Sequence, residues 1–258
     1  MTPFPRKIIL VEGKDDKIFF TKFLEKEFKE LSQWIGIKDL GGINYDSPQN
    51  NLADEIQSIL SSPNIRKMKI GIILDIDNAS VAERISFINE TLAYSLKDLQ
   101  RRKENFPKIQ DIPKLVTINE WVEQKDLEVK FAVNFTHFGG KGELADLLKA
   151  IKRKDITSFS ADCLEHWRKC IGQKDMQLPD KEFSKLWLNV FIRYDVCTTK
   201  ERQNAQKYCN LEFVLEKKNI FDFRLNFCKP TEIFSDYLLT KVNCYEFPTW
   251  CFDNSRHR

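Results

Sequence analysis

Two short apolar runs, Ile8-Ile9-Leu10-Val11 and Ile70-Gly71-Ile72-Ile73-Leu74, each stop abruptly at carboxylate: Glu12 after the first, Asp75 and then Asp77 after the second. A run of aliphatic residues with no polar alternation reads as a strand buried on both faces, the kind found in parallel sheets. Parallel sheets place their sites outside the carboxyl ends of the strands. If the two strands are neighbours, Glu12, Asp75 and Asp77 open onto one edge. Residues two apart in an extended strand point the same way, so Asp75 and Asp77 are expected to share a direction. Three acids converging in a crevice repel one another unless a cation sits among them. All-oxygen donors favour a hard ion, Mg²⁺ or Mn²⁺.

The rest of the chain predicts an α/β fold: a parallel-rich sheet flanked by helices, with a mainly helical C-terminal extension. Phe19, Phe20, Phe23, Leu24 and Phe28 fall at helical spacing over 15–29, with Asp15 and Asp16 in the first turn, where acids suit the helix dipole. A strand over 34–38 runs into Gly41-Gly42, backbone that can approach a ligand closely. Helices are expected over 51–61, over 80–102 with Val81, Ile85, Ile88 and Leu92 inward, and over 143–152. A strand over 69–74 lies between the first two, and further strands over 115–118 and 129–133. Beyond Asp155 strand signals thin out, and helices are read over 160–170, 183–194 and 200–218. The chain thus divides into residues 1–152, carrying the acids, and a helical region, 153–258, packed on them. Its aromatic-rich tail over 245–252 is too apolar to be free.

At 258 residues, with 31% charged and 42% apolar residues, the chain can bury a sizeable core. No run reaches the ~18 apolar residues of a membrane span, so no membrane partner is expected. The first strand begins almost at once, which reads as leaving no room for a signal peptide. Seven cysteines without a C-x-x-C pair then argue for reduced thiols and a cytoplasmic setting. A net charge of +3 assigns any nucleic-acid binding to a local patch.

Val11-Glu12-Gly13-Lys14-Asp15-Asp16 followed by Leu74-Asp75-Ile76-Asp77 resembles the TOPRIM domain shared by topoisomerases, primases, recombination proteins and OLD-family nucleases. The resemblance covers residues 6 to about 150. Within the family the chain is similar to the TOPRIM-only branch related to OLD nucleases, which includes the nuclease subunit of the PARIS phage-defence system. It implies that Asp75 and Asp77 hold the ion or ions, and that Glu12 is a ligand or a general acid/base. Asp16, four residues after Glu12, matches a second acid of OLD-like nucleases; its alternative is a dipole partner. Glu143 and Asp146 match a further acidic stretch, with Glu143 as a second-metal or water-orienting ligand; the alternatives are a helix-start acid and a solvent-facing Asp. A separate ATPase subunit and a homodimer are likewise implied by resemblance alone.

Other candidates come from the residues. Lys14, Lys141 and Lys200 could hold a phosphate, and Lys152-Arg153-Lys154 and Arg101-Arg102-Lys103 could grip a nucleic-acid backbone, against a reading as solvated surface. Asp77 has a competing reading as a helix cap. His137 could reach the site or be an ordinary loop histidine. Cys163, His166 and Cys170 lack the second pair of a zinc site and are expected to pack the inner face of a helix. No G-x-x-x-x-G-K-[ST] motif occurs, so no P-loop ATPase is encoded here. The expected function is a Mg²⁺- or Mn²⁺-dependent endonuclease acting on DNA or RNA, with a phage-defence effector as one setting. Its rivals are a TOPRIM ribonuclease in RNA processing and a non-catalytic nucleic-acid- or partner-binding subunit.

Overall fold

The computed structural model describes residues 7–62, 67–97, 108–110, 116–122, 125–136, 142–172 and 178–223. Five strands form one sheet: β1 (Lys7–Val11), β2 (Ile35–Asp39), β3 (Lys67–Asp75), β4 (Val116–Val122) and β5 (Lys125–Thr136), in the order β2-β1-β3-β5-β4. The first four in that order run parallel, and β4 closes the edge antiparallel to β5. The α/β class expected from the sequence is the class observed.

Helices cover both faces. α1 (Lys14–Glu27) and α2 (Lys29–Ser32) follow β1, α3 (Asn51–Leu60) follows β2, and α4 (Val81–Leu96) follows β3. After β5 come α5 (Leu144–Ile151), α6 (Phe159–Gly172), α7 (Asp180–Val190), a π-helical turn (Phe191–Val196), α8 (Thr199–Arg202), α9 (Ala205–Tyr208) and α10 (Leu211–Glu216). Alternate residues of the central strands enter opposite clusters, as the pleat requires. Ile9, Val11 and Ile73 pack with α1, α5, α7 and α10, whereas Ile8, Leu10, Ile70, Ile72 and Leu74 pack with α3 and α4. The chain therefore leaves β1 toward one face and β3 toward the other. Adjacent parallel strands whose connections diverge open a crevice at their carboxyl ends.

Several local expectations are revised. α4 turns a partly polar face inward: Arg84, Ile88, Thr91, Leu92 and Ser95 are buried, while Val81 is exposed. Hydrophobic spacing could not show this, because Thr91 meets the Asn50 amide of the α3 cap and Arg84 meets Asp77. The single helix expected over 200–218 is three short ones, and Cys197 and Cys209 pair there as a disulfide with Cα atoms 6.0 Å apart, against the expectation of reduced thiols. Cys163, His166 and Cys170 lie on the outward side of α6 rather than its inner face; of that helix only Ala161 is fully buried. The helices beyond residue 153 supply Phe183, Trp187, Phe191, Val214 and Leu215 to the same cluster as Val11 and Phe19. Among the described residues, no helix is long and apolar enough to cross a membrane. The tail over 245–252 lies outside the described residues.

Candidate metal centre

Val11 pairs with Ile73, so β1 and β3 end side by side and Glu12 is delivered next to Asp75. The Asp75 amide donates to Glu12 Oε2 at 3.2 Å. Asp77 reaches the same edge by another route than strand alternation. β3 ends at Asp75, and Asp77 has φ +52°, in the left-handed region that Asp tolerates better than most residues. Its backbone is tied on both sides to Gly142, with N–H···O distances of 2.9 and 3.1 Å. That bridge brings Glu143, at the start of α5, against the aspartates. Asp77 caps no helix; Ser80 caps α4 in a capping box with Glu83.

Ligand oxygens of Asp75, Asp77 and Glu143 all lie within 4.8 Å of one another. Asp75 and Glu143 are buried, and Asp75 Oδ1 and Glu143 Oε1 have no hydrogen-bond partner. Buried carboxylate oxygens are ordinarily satisfied, and leaving one bare costs about 1–3 kcal/mol or more. The donor set is all oxygen, and its ligand atoms lie close together: these residues could bind a hard cation.

A cavity of about 390 Å³ adjoins the cluster, lined by Glu12, Asp16, Asp75 and Glu143 together with Lys181 and Lys185 of α7. The electrostatics follow from that crowding. Burial, then the charges of Asp16 and Glu12, raise the Asp75 carboxyl to about 9. Burial and Glu12 raise Asp16 to about 7, although its Oδ2 accepts the Gly13 N–H at 3.1 Å. Glu143 is also raised by burial, with Lys185 and Lys181 opposing. Lys181 sits 2.7 Å from Asp77 Oδ1 and 3.7 Å from Glu143, and Lys185 is 3.3 Å from Glu143. Burial alone would lower the Lys181 ammonium, but Asp77 and Glu143 outweigh it and hold it above its ordinary value.

Sequence reasoning did not single out Lys181 or Lys185. Four apart on α7, they share a helix face, yet nothing in their spacing distinguishes them from a solvated pair. Tyr45 and Arg84 were missed for the same reason; the former donates to Glu12 Oε2 and the latter to Asp77 Oδ2 at 3.2 Å. Asp146 is not solvent-facing. It accepts the Glu143 N–H at 3.1 Å and the Ser184 hydroxyl at 2.5 Å, and so fixes the start of α5. Lys14 is exposed on the rim of the acidic cavity. Lys152 donates to Ile156 O, and Arg153 is taken up by Asp155 at 3.0 Å. Neither they nor Lys154 line this cavity, nor a second of about 330 Å³ beside Asp77 and Asp146; Lys200 is exposed on α8 and lines neither. Lys141, His137, Arg101, Arg102 and Lys103 lie outside the described residues.

A family model described as "Protein of unknown function (DUF3226)" matches residues 6–230, most of the chain. The chain belongs to that family. No curated protein matches it. Among solved structures it is similar to the C-terminal region of the Xanthomonas campestris pv. campestris OLD protein, at 17% identity and a TM-score of 0.34, covering 83% of this chain and 95% of that one. That likeness is too remote to carry a conclusion about fold or chemistry. The TOPRIM reading of this DUF3226 chain therefore rests on its own Glu12 and Asp75-x-Asp77 motifs.

Proposed function

We propose that this DUF3226 protein is a nuclease that hydrolyses phosphodiester bonds with Mg²⁺ or Mn²⁺ held by Asp75, Asp77 and Glu143. The observation that carries the reading is that Asp75, Asp77 and Glu143 bring ligand oxygens within 4.8 Å of one another while Asp75 Oδ1 and Glu143 Oε1 are buried without a partner, beside a cavity that lysines also line. When bound, a divalent ion supplies charge neutralisation at a phosphodiester and a water acidic enough to attack it. The chain's own groups do the rest. Lys181 and Lys185 line the same cavity as the acids, paired with Asp77 and Glu143, and would turn to phosphate oxygens once a divalent ion takes up those carboxylates. Lys14 adds a further ammonium at the rim. Glu12 Oε2 is held by two donors, which fixes this carboxylate for a role as ligand or general acid/base.

The polymer, DNA or RNA, and an activating ATPase partner belong to this proposal by resemblance, as do a homodimeric state and a phage-defence setting. The test is cleavage of supercoiled plasmid and of structured RNA, with Mg²⁺ or Mn²⁺, by the wild type, Glu12→Ala and Asp75→Ala. Metal-dependent cleavage of either polymer that both substitutions abolish supports the proposal and identifies the polymer. No cleavage, together with no metal binding by the wild type, overturns it in favour of a binding module.

A further inference from the structure

Two residues outside the acid cluster each hold one oxygen of a site carboxylate. The Tyr45 hydroxyl and the Asp75 N–H both donate to Glu12 Oε2, and among the described residues nothing donates to Oε1. Arg84 donates to Asp77 Oδ2 at 3.2 Å, leaving Oδ1 to the Lys181 ammonium at 2.7 Å, where the site already receives a cation. The two holders are joined: the Arg84 guanidinium lies 3.4 Å from the centre of the Tyr45 ring, which also packs against Phe87 with ring centres 4.9 Å apart. Arg84 is buried, so its position is set by packing as well as charge.

We propose that Tyr45 and Arg84 are a stacked positioning pair that fixes the cation-facing oxygens of Glu12 and Asp77. The phenol is suited to this: its hydroxyl is a neutral donor near neutral pH and here donates to Glu12 Oε2. The guanidinium is likewise a donor, being protonated throughout, and its planar face is what stacks on the ring. Each carboxylate is thereby pinned by one oxygen, and the rotational freedom that a ligand would have to freeze is already removed. Asp77 gains from this support, because it lies beyond the end of β3 in a left-handed conformation.

This inference rests on the metal reading of the site, and the test separates the two. Mn²⁺ binding to the full-length protein is titrated by electron paramagnetic resonance of the free ion, with thermal unfolding of each metal-free variant in parallel. Tyr45→Phe keeps the stack and deletes only the hydroxyl, Arg84→Gln deletes the guanidinium, and Arg84→Lys restores the charge without the planar face. Ile59→Val, a core truncation on α3 far from the acids in sequence, serves as the control for lost stability. Loss of an orienting partner typically weakens metal affinity by ~10–100-fold. The expected result is a loss of that order for Tyr45→Phe and Arg84→Gln, partial recovery in Arg84→Lys, and unchanged affinity in Ile59→Val whatever its melting temperature. Tight wild-type binding with Tyr45→Phe and Arg84→Gln within two-fold of it overturns the positioning role alone. A wild type that binds no Mn²⁺ overturns the metal reading and this inference with it.

Discussion

At the scale of single residues, the site is built from groups held where they would not go by themselves. Gly142 has φ +99°, and a Cβ there would meet Asp146 Oδ2 at 2.3 Å. Gly142→Ala therefore strains the turn and pushes aside the carboxylate that fixes Glu143. It is expected to cost ~1–3 kcal/mol in urea unfolding, and more than an Ala at the unhindered Gly172. Asp75 and Asp16 make a pH prediction. Both folded-state values, about 9 and about 7, lie above the ordinary aspartate value of 3.8, so folding takes up protons. Stability of the metal-free protein is then fullest near pH 4 and is lost as pH rises through 7 and toward 9. Thermal unfolding should show a lower Tm at pH 9 than at pH 6, with saturating Mg²⁺ reducing the difference. A Tm that rises over that interval without metal would contradict the burial of these carboxyls.

The decisive element is α7, because it carries both lysines that face the acids. Under the proposed function Lys181 would have two opposed roles: it pairs with Asp77 in the absence of a metal, and it would contact a phosphate once the metal is bound. Lys181→Ala should therefore tighten Mn²⁺ binding, by removing a competing cation, while it weakens cleavage. Calorimetric titration and a nicking assay would read the two effects separately, and a joint fall in both would deny Lys181 the first role. α4 makes a different point. Ser80 accepts the Glu83 N–H and Glu83 returns a bond to the Ser80 N–H, so Ser80→Ala should cost ~1 kcal/mol in chemical unfolding. The inward register of α4 was misread because its buried side carries Arg84, Thr91 and Ser95. Apolar spacing marks only the part of a buried face that is apolar, and here the remainder is polar because it serves Asp77 and Asn50.

At the scale of the whole molecule, the helices beyond residue 153 and the sheet share one apolar cluster, in which Trp187 stacks on Phe191 at 5.2 Å. Their fates are thereby coupled. Trp187→Ala is expected to cost ~3–5 kcal/mol, the usual range for emptying a large aromatic site. A fragment ending at residue 152 should expose the α1 face and bind a hydrophobic dye, whereas the full chain should melt in one calorimetric transition. Two resolved transitions would show instead that residues 1–152 and the region after them fold separately.

The sequence by itself determined the class of fold and the edge at which chemistry gathers. Unbroken aliphatic runs can be satisfied only between two helical layers, and acids directly after such runs can emerge only at the carboxyl ends of the strands. Glu12, Asp75 and Asp77 were legible for that reason. The tertiary structure decided which groups complete the cluster and what steadies it. Glu143 arrives because Gly142 bridges to Asp77, Lys181 and Lys185 because α7 lines the same cavity, and Tyr45 and Arg84 because a loop and a helix meet beside β1 and β3. Glu143 is singled out by resemblance; the others lie neither on an apolar period nor within a short motif. Their positions are set by long-range packing, and sequence spacing carries information about packing only where the buried side chains are themselves apolar.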